Sequence, residues 1–145
     1  MTPFTTSWTA LGAAVTDLAD EDFAEPSGCS GWLVQDLVCH VLIGAQDVLI
    51  TLVSPADPPS TRDAVTYWDV AAAPPSGGDP LDALVVRLAA AYEDPWLLRL
   101  HFDDVGSAAG RAAELADPDL HVTTRGEVLR ARDYLDAYVL EWTLH

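Results

Sequence analysis

Apolar residues recur at helical spacing along most of this chain. Between residues 4 and 22, Trp8, Leu11, Ala14/Val15 and Leu18 fall three or four positions apart and predict an amphipathic helix that ends before Pro26. Residues 26–31 are turn-forming by composition, with Ser30 as the N-cap candidate for the next helix. That second helix is predicted over residues 32–52, with an inner stripe of Leu33, Leu37, His40, Ile43/Gly44, Asp47 and Thr51. The proline-rich residues 54–60 end it and open a long irregular connection. Residues 63–68 suit a helical turn within it, and residues 74–80 break the chain again. Connections of this length are lids, binding loops or disordered, and the residues do not choose among them. Asp79 before Pro80 is a helix start, and Leu81, Leu84, Val85, Leu88 and Tyr92 carry the period onward. Pro95 kinks or restarts that helix, and the run over residues 96–115 stops at Asp117-Pro118. Residues 120–124 and 127–129 flank Arg125-Gly126 as a short hairpin or extended arm before a last helix over residues 134–145. Four helical segments with an excursion between the second and third predict an all-α fold, an up-down bundle with one long crossover.

Composition narrows the classes. A chain of 145 residues, half of them apolar, is one domain with a real core. The formal charge of −16 leaves no basic patch for phosphates, so neither nucleic acid nor an anionic membrane is an expected partner. The basic residues are seven Arg and no Lys, a bias of GC-rich genomes. Cys29 and Cys39 form no C-x-x-C motif and suggest a reducing, cytoplasmic setting. The N-terminus lacks a signal-peptide pattern, and the longest apolar run reads as too short and interrupted to span a bilayer.

The chemistry-bearing residues are those that interrupt apolar helices. Burying an unpaired polar group costs roughly 2–7 kcal/mol, and an ion more, so such residues need a partner. Glu141 and His145 lie four apart and share a helix face with Tyr134 and Tyr138, while His40 lies among Val38, Val41, Leu42 and Ile43. Two imidazoles and one carboxylate from two helices make a three-ligand site with open positions, as in catalytic zinc and non-haem iron centres. The competing reading is a core histidine bonded to a carbonyl or hydroxyl. Gly44, one turn from His40, either opens ligand space or allows close helix packing. Asp47 is a candidate outer-sphere carboxylate, Cys39 reads as core filler, and His101 and His121 read as exposed, with His101 in reserve as a ligand.

The segment Gly31-Trp32-Leu33-Val34-Gln35-Asp36-Leu37-Val38-Cys39-His40, taken with Thr124-Arg125-Gly126-Glu127, Asp133-Tyr134-Leu135 and residues 138–145, resembles the mycothiol-dependent maleylpyruvate isomerase N-terminal domain. That family is a branch of the DinB-like metal-binding four-helix bundles, and the resemblance covers essentially the whole chain as a single domain, residues 1–145. It implies a metal held by His40, Glu141 and His145, with zinc as the metal and mycothiol, an actinobacterial thiol, as cosubstrate. Nothing in the chain corresponds to the family's C-terminal domain. The implied chemistry is a zinc-stabilised thiolate attacking an electrophile, in a transferase or isomerase. The acidic surface disfavours an anionic substrate unless Arg125, Arg130 or Arg132 lies near the pocket. The alternatives are a non-catalytic metal- or thiol-binding accessory module, and a metal-free helical interaction domain in which Glu141 pairs with His40. Beyond a small-molecule thiol and an electrophilic substrate, the partner expectation is a homodimer through Trp68 or Trp96.

Overall fold

A computed structural model describes residues 1–70 and 79–144, without the side chains of Val70 and Leu144. It is mostly helical. Helices α1 (Pro3–Asp17), α2 (Val34–Leu52), α3 (Pro80–Ala91), α4 (Pro95–Leu115) and α5 (Ala131–Leu144) are joined by 3-10 turns at Asp20–Ala24 and Tyr67–Val70 and by a hairpin of β1 (His121–Thr124) and β2 (Glu127–Arg130). The four predicted helical segments become five because Pro95 starts a new helix. Glu93 adopts φ 59°, and Asp94 caps the restart by accepting from the Trp96 N–H at 2.9 Å.

The boundaries follow the capping chemistry. Thr2 caps α1 through the Thr5 N–H, and Glu114 on α4 accepts from the Thr2 N–H and the Thr5 hydroxyl, both at 2.8 Å. The first helix stops at Asp17, earlier than its periodicity predicts. Asp20, Glu21 and Asp22 instead open the following 3-10 turn, where the Asp22 carboxylate accepts from the Ala19 N–H at 2.8 Å. Acidic residues are stabilised at a helical N-terminus, and Asp20, Glu21 and Asp22 occupy the first turn of the new helical segment. Ser30 is not the N-cap of α2. That position belongs to Leu33, whose N–H donates to Asp36 at 2.8 Å, while Ser27 closes the preceding loop onto Trp32.

Helix α2 is the centre of the molecule, packed against α3, α4, α5 and the first 3-10 turn. At 19 residues with mean hydropathy 1.3, it is long and apolar enough to cross a bilayer by length and composition, contrary to the sequence expectation. Its core row is Val38, Val41/Leu42, Ala45, Val48 and Leu52; of the stripe predicted as innermost, Thr51 is buried, Leu37, His40, Ile43/Gly44 and Asp47 are half-buried and Leu33 is exposed. Each core position lies one residue after its predicted counterpart, because apolar residues flank the predicted stripe and the polar His40 and Asp47 are left at its edge.

The hairpin turns on Arg125 (φ 52°) and Gly126 (φ 78°), with Thr124 paired to Glu127. Two consecutive positive φ values are what a tight two-residue turn between right-twisted strands requires. The first part of the long connection then covers both edges. Ala56 N–H donates to His121 O and Thr123 N–H to Ser54 O, both at 2.9 Å, while Thr61 N–H donates to Val128 O at 2.8 Å. Edge groups that would otherwise stay open are thereby paired. The connection next places Tyr67 in the core and bonds the Trp68 indole N–H to Ala137 O at 2.7 Å. The connection is therefore tied down at Ser54, Ala56, Thr61 and Tyr67–Trp68, while Val53 and Val65 stay exposed. The chain break expected at residues 74–80 lies, up to residue 78, outside the described residues.

Candidate metal centre

Helices α2 and α5 bring together two residues 101 positions apart: His40 Nε2 lies 3.2 Å from Glu141 Oε1, with the side chains 31 % and 17 % exposed. The third predicted ligand, His145, lies outside the described residues. Among the described residues no group of three His, Cys, Asp or Glu side chains is placed to hold a metal ion. The other histidines are elsewhere. His101 Nδ1 bonds the Tyr92 hydroxyl at 2.5 Å and is half-buried, as is His121 on β1, so the expectation of exposure fails for both. Neither adjoins the pair.

The walls of the site are aromatic. The Trp32 ring lies 5.0 Å from the His40 ring, and its buried indole N–H has no hydrogen-bond partner among the described residues. Tyr138 approaches Gly44 so closely that a Cβ there would lie 3.1 Å from its ring. Of the two readings of Gly44, close packing is the one observed. Toward the core, Trp142 joins Tyr138 to Phe4 and Trp8 through ring contacts of 4.8–5.6 Å. On the far side Tyr67 and Trp68 pack edge-on against Tyr134 and Tyr138.

One turn beyond Gly44, Asp47 Oδ2 accepts from the Tyr134 hydroxyl at 2.6 Å and the Tyr138 hydroxyl at 2.9 Å. Burial first, and then the neighbouring negative charge, pushes both phenols above the ordinary tyrosine range. They stay neutral donors at any physiological pH. The sequence pattern places both tyrosines on the stripe of Glu141 and singles out Asp47, but does not join them. An acid in an apolar helix and two tyrosines four apart on the facing helix were the available signal.

Cys39 takes no part. It is buried on the core side of α2, and burial, aided by the Asp36 carboxylate, pushes its thiol up to about 11. A thiol so disposed is a packing group rather than a nucleophile. Of the arginines that bear on an anionic substrate, Arg130 (3.7 Å) and Arg132 both pair with Asp119. Arg125 is exposed at the hairpin turn, and its charge acts on the buried Tyr67 hydroxyl, as do those of Asp47 and Glu141.

An imidazole nitrogen and a carboxylate oxygen sharing a tetrahedral ion with bonds of about 2.0–2.2 Å stand about 3.3 Å apart. The observed 3.2 Å fits that arrangement as well as a direct hydrogen bond. The donors are one nitrogen and one oxygen, both partly open to solvent, a set suited to zinc. Fold and site thus define a helical domain with a His–Glu pair between two facing helices. The family model of the mycothiol maleylpyruvate isomerase N-terminal domain matches residues 4–145, and the chain belongs to that family. No curated protein and no solved structure matches it.

Proposed function

We propose that this protein is a zinc-dependent domain that uses a low-molecular-weight thiol, mycothiol, in a transferase or isomerase reaction on an electrophilic substrate, with His40, Glu141 and His145 as the metal ligands. The observation that carries this reading is the His40–Glu141 approach across two helices. Membership of the family supports the thiol. The fold we assign to the DinB-like four-helix type with a long crossover, because α2 packs on α4, α4 on α1, α1 on α5 and α5 on α2, closing a ring of four.

In this reading His40 offers Nε2 and Glu141 offers Oε1 from the two sides of one groove, and His145, four positions after Glu141 in the sequence, would be the third donor. When bound, zinc supplies the positive charge that keeps a coordinated thiol deprotonated at neutral pH, ready to attack an electrophilic carbon. Trp32 and Tyr138 wall the pair and limit water on the core side, leaving access from the half-exposed face. Cys39, buried and protonated, leaves the nucleophile to the incoming thiol.

A second reading draws on the same contact: at 3.2 Å the pair is also a complete hydrogen bond, as a metal-free interaction domain would have. Elemental analysis of the purified protein separates the two. Near one zinc per chain, lost in Glu141→Ala and in His40→Ala, is expected. Wild-type protein without zinc, even after dialysis against it, sinks the enzymatic reading. A zinc-loaded protein that fails to conjugate mycothiol to a panel of electrophiles is instead an accessory binding module.

A further inference from the structure

The contacts between α2 and α5 form a matched ladder. On α2, His40 and Asp47 are seven residues apart; on α5, Glu141 and Tyr134 are also seven apart. Each interval is about 10.5 Å at the α-helical rise. His40 meets Glu141 and Asp47 meets Tyr134, so the helices run antiparallel with both pairs in register. Gly44 and Tyr138 fill the rung between, where the ring stands at the distance of a missing Cβ. A single oxygen, Asp47 Oδ2, receives both hydroxyls, at 2.6 and 2.9 Å. Sliding α5 by one residue moves it about 1.5 Å and rotates its face by about 100°, which breaks both bonds together.

We propose that Asp47 is a positioning residue: by gripping the hydroxyls of Tyr134 and Tyr138 it sets the register of α5 on α2 and holds Glu141 opposite His40 before any metal arrives. The inference rests on the zinc reading above for its functional meaning. Its structural content stands separately. Without the grip, the aromatic packing of Tyr138 and Trp142 and the Trp68 indole bond to Ala137 O still hold α5 to the core, but the alignment loses the two hydroxyl bonds that converge on one oxygen of α2. The ligand pair would then have to be assembled at the moment of binding, which lowers affinity. Outer-sphere partners of metal ligands typically account for a 10–100-fold factor in affinity.

The test uses the full chain with zinc itself as probe. Competition against a chromophoric chelator gives zinc affinity for wild type, Asp47→Asn and Tyr138→Phe, and Phe23→Leu, in the 3-10 turn after α1, serves as a control destabilised outside α2 and α5. Cross-peaks between the His40 ring protons and the Glu141 side chain are read by NMR in the zinc-free proteins. Asp47→Asn is expected to lower zinc affinity by about 10–100-fold and to weaken the His40–Glu141 cross-peaks while far-UV circular dichroism stays helical. Phe23→Leu should lose stability with unchanged affinity, which a merely structural role for Asp47 would match. Wild-type affinity and wild-type cross-peaks in Asp47→Asn overturn the proposal. If that variant does not fold, Tyr138→Phe, which keeps the ring on Gly44 and removes one of the two hydroxyls, must show a several-fold loss of affinity, and its absence overturns the proposal equally. If wild type binds no zinc, the functional reading falls and the cross-peaks alone decide the register claim.

Discussion

Replacing Gly106 with alanine is a one-methyl change with a large expected cost. Gly106 lies in the middle of α4, where alanine is ordinarily favoured over glycine by about 1 kcal/mol. Here a Cβ would lie 1.7 Å from Trp8 Cζ2 and 1.9 Å from Cε2, deep inside the indole rather than at the tip of a flexible side chain. Trp8 is held on its inner side by other rings, while on the outer side it lines, with Gly106 and Gly110, an open groove of about 610 Å³. It is 8 % exposed, stacked on Phe102 at 4.6 Å and edge-on to Trp142 at 5.1 Å. Overpacking of a tight core costs about 1–3 kcal/mol, and losing a buried aromatic altogether about 3–5. Set against the propensity gain, overpacking leaves a net loss of roughly 0–2 kcal/mol and displacing the indole roughly 2–4, so Gly106→Ala should destabilise by up to about 4 kcal/mol. In a domain of this size that is up to on the order of 10 °C in Tm. Gly12→Ala, with nothing within 4 Å of its Cβ, serves as the matched comparison and should be neutral or stabilising by up to about 1 kcal/mol. Urea denaturation at constant m reports both. Shrinking the indole in Trp8→Leu/Gly106→Ala should recover part of the loss, so the two substitutions should be strongly non-additive. A Gly106→Ala protein at least as stable as wild type would refute the reasoning, because it would mean the indole moves freely.

Two further outcomes are expected. The Cys39 thiol is raised from 9.0 to about 11 by burial, so folding favours its neutral form; that contribution is complete below pH 9 and is lost as pH rises toward 11. The stability gap between wild type and Cys39→Ala should therefore shift against wild type by about 2 kcal/mol at most between pH 9 and 11, and a flat gap in pH-resolved denaturation contradicts the assignment. Arg99 ties α4 to the segment after α1, donating to Asp20 Oδ1 and to Leu18 O at 2.5 Å each and lying 4.6 Å over the Phe23 ring. Arg99→Ala should cost about 1.5–3 kcal/mol with little dependence on salt, since Asp20 is 69 % exposed and the carbonyl bond matters more; Arg99→Lys should recover less than half. A loss that disappears at high salt would show a surface ion pair instead.

Much of this protein is legible without its structure. The helices follow apolar positions at a 3.6-residue period, and that period is local geometry written into the chain. The hairpin was readable because Arg125-Gly126 supplies the positive φ values that two strands need to turn. The His40–Glu141 partnership was readable too: an ionisable residue inside an apolar helix requires compensation, and few groups in the chain can give it. Other features were settled only in three dimensions. Which row of α2 lies deepest was decided by what packs on it, since the core residues sit one position round from the predicted stripe. The end of α1, ahead of acids that open the next turn, was settled there too, as was the covering of both hairpin edges by a stretch that reads as loop. The Asp47 grip joins residues 87 and 91 positions apart, and Gly106 is a glycine because Trp8, nearly a hundred residues earlier, occupies the space of its side chain. Local patterns specify which elements form; which atoms then meet across such separations depends on packing, which no stretch of sequence carries by itself.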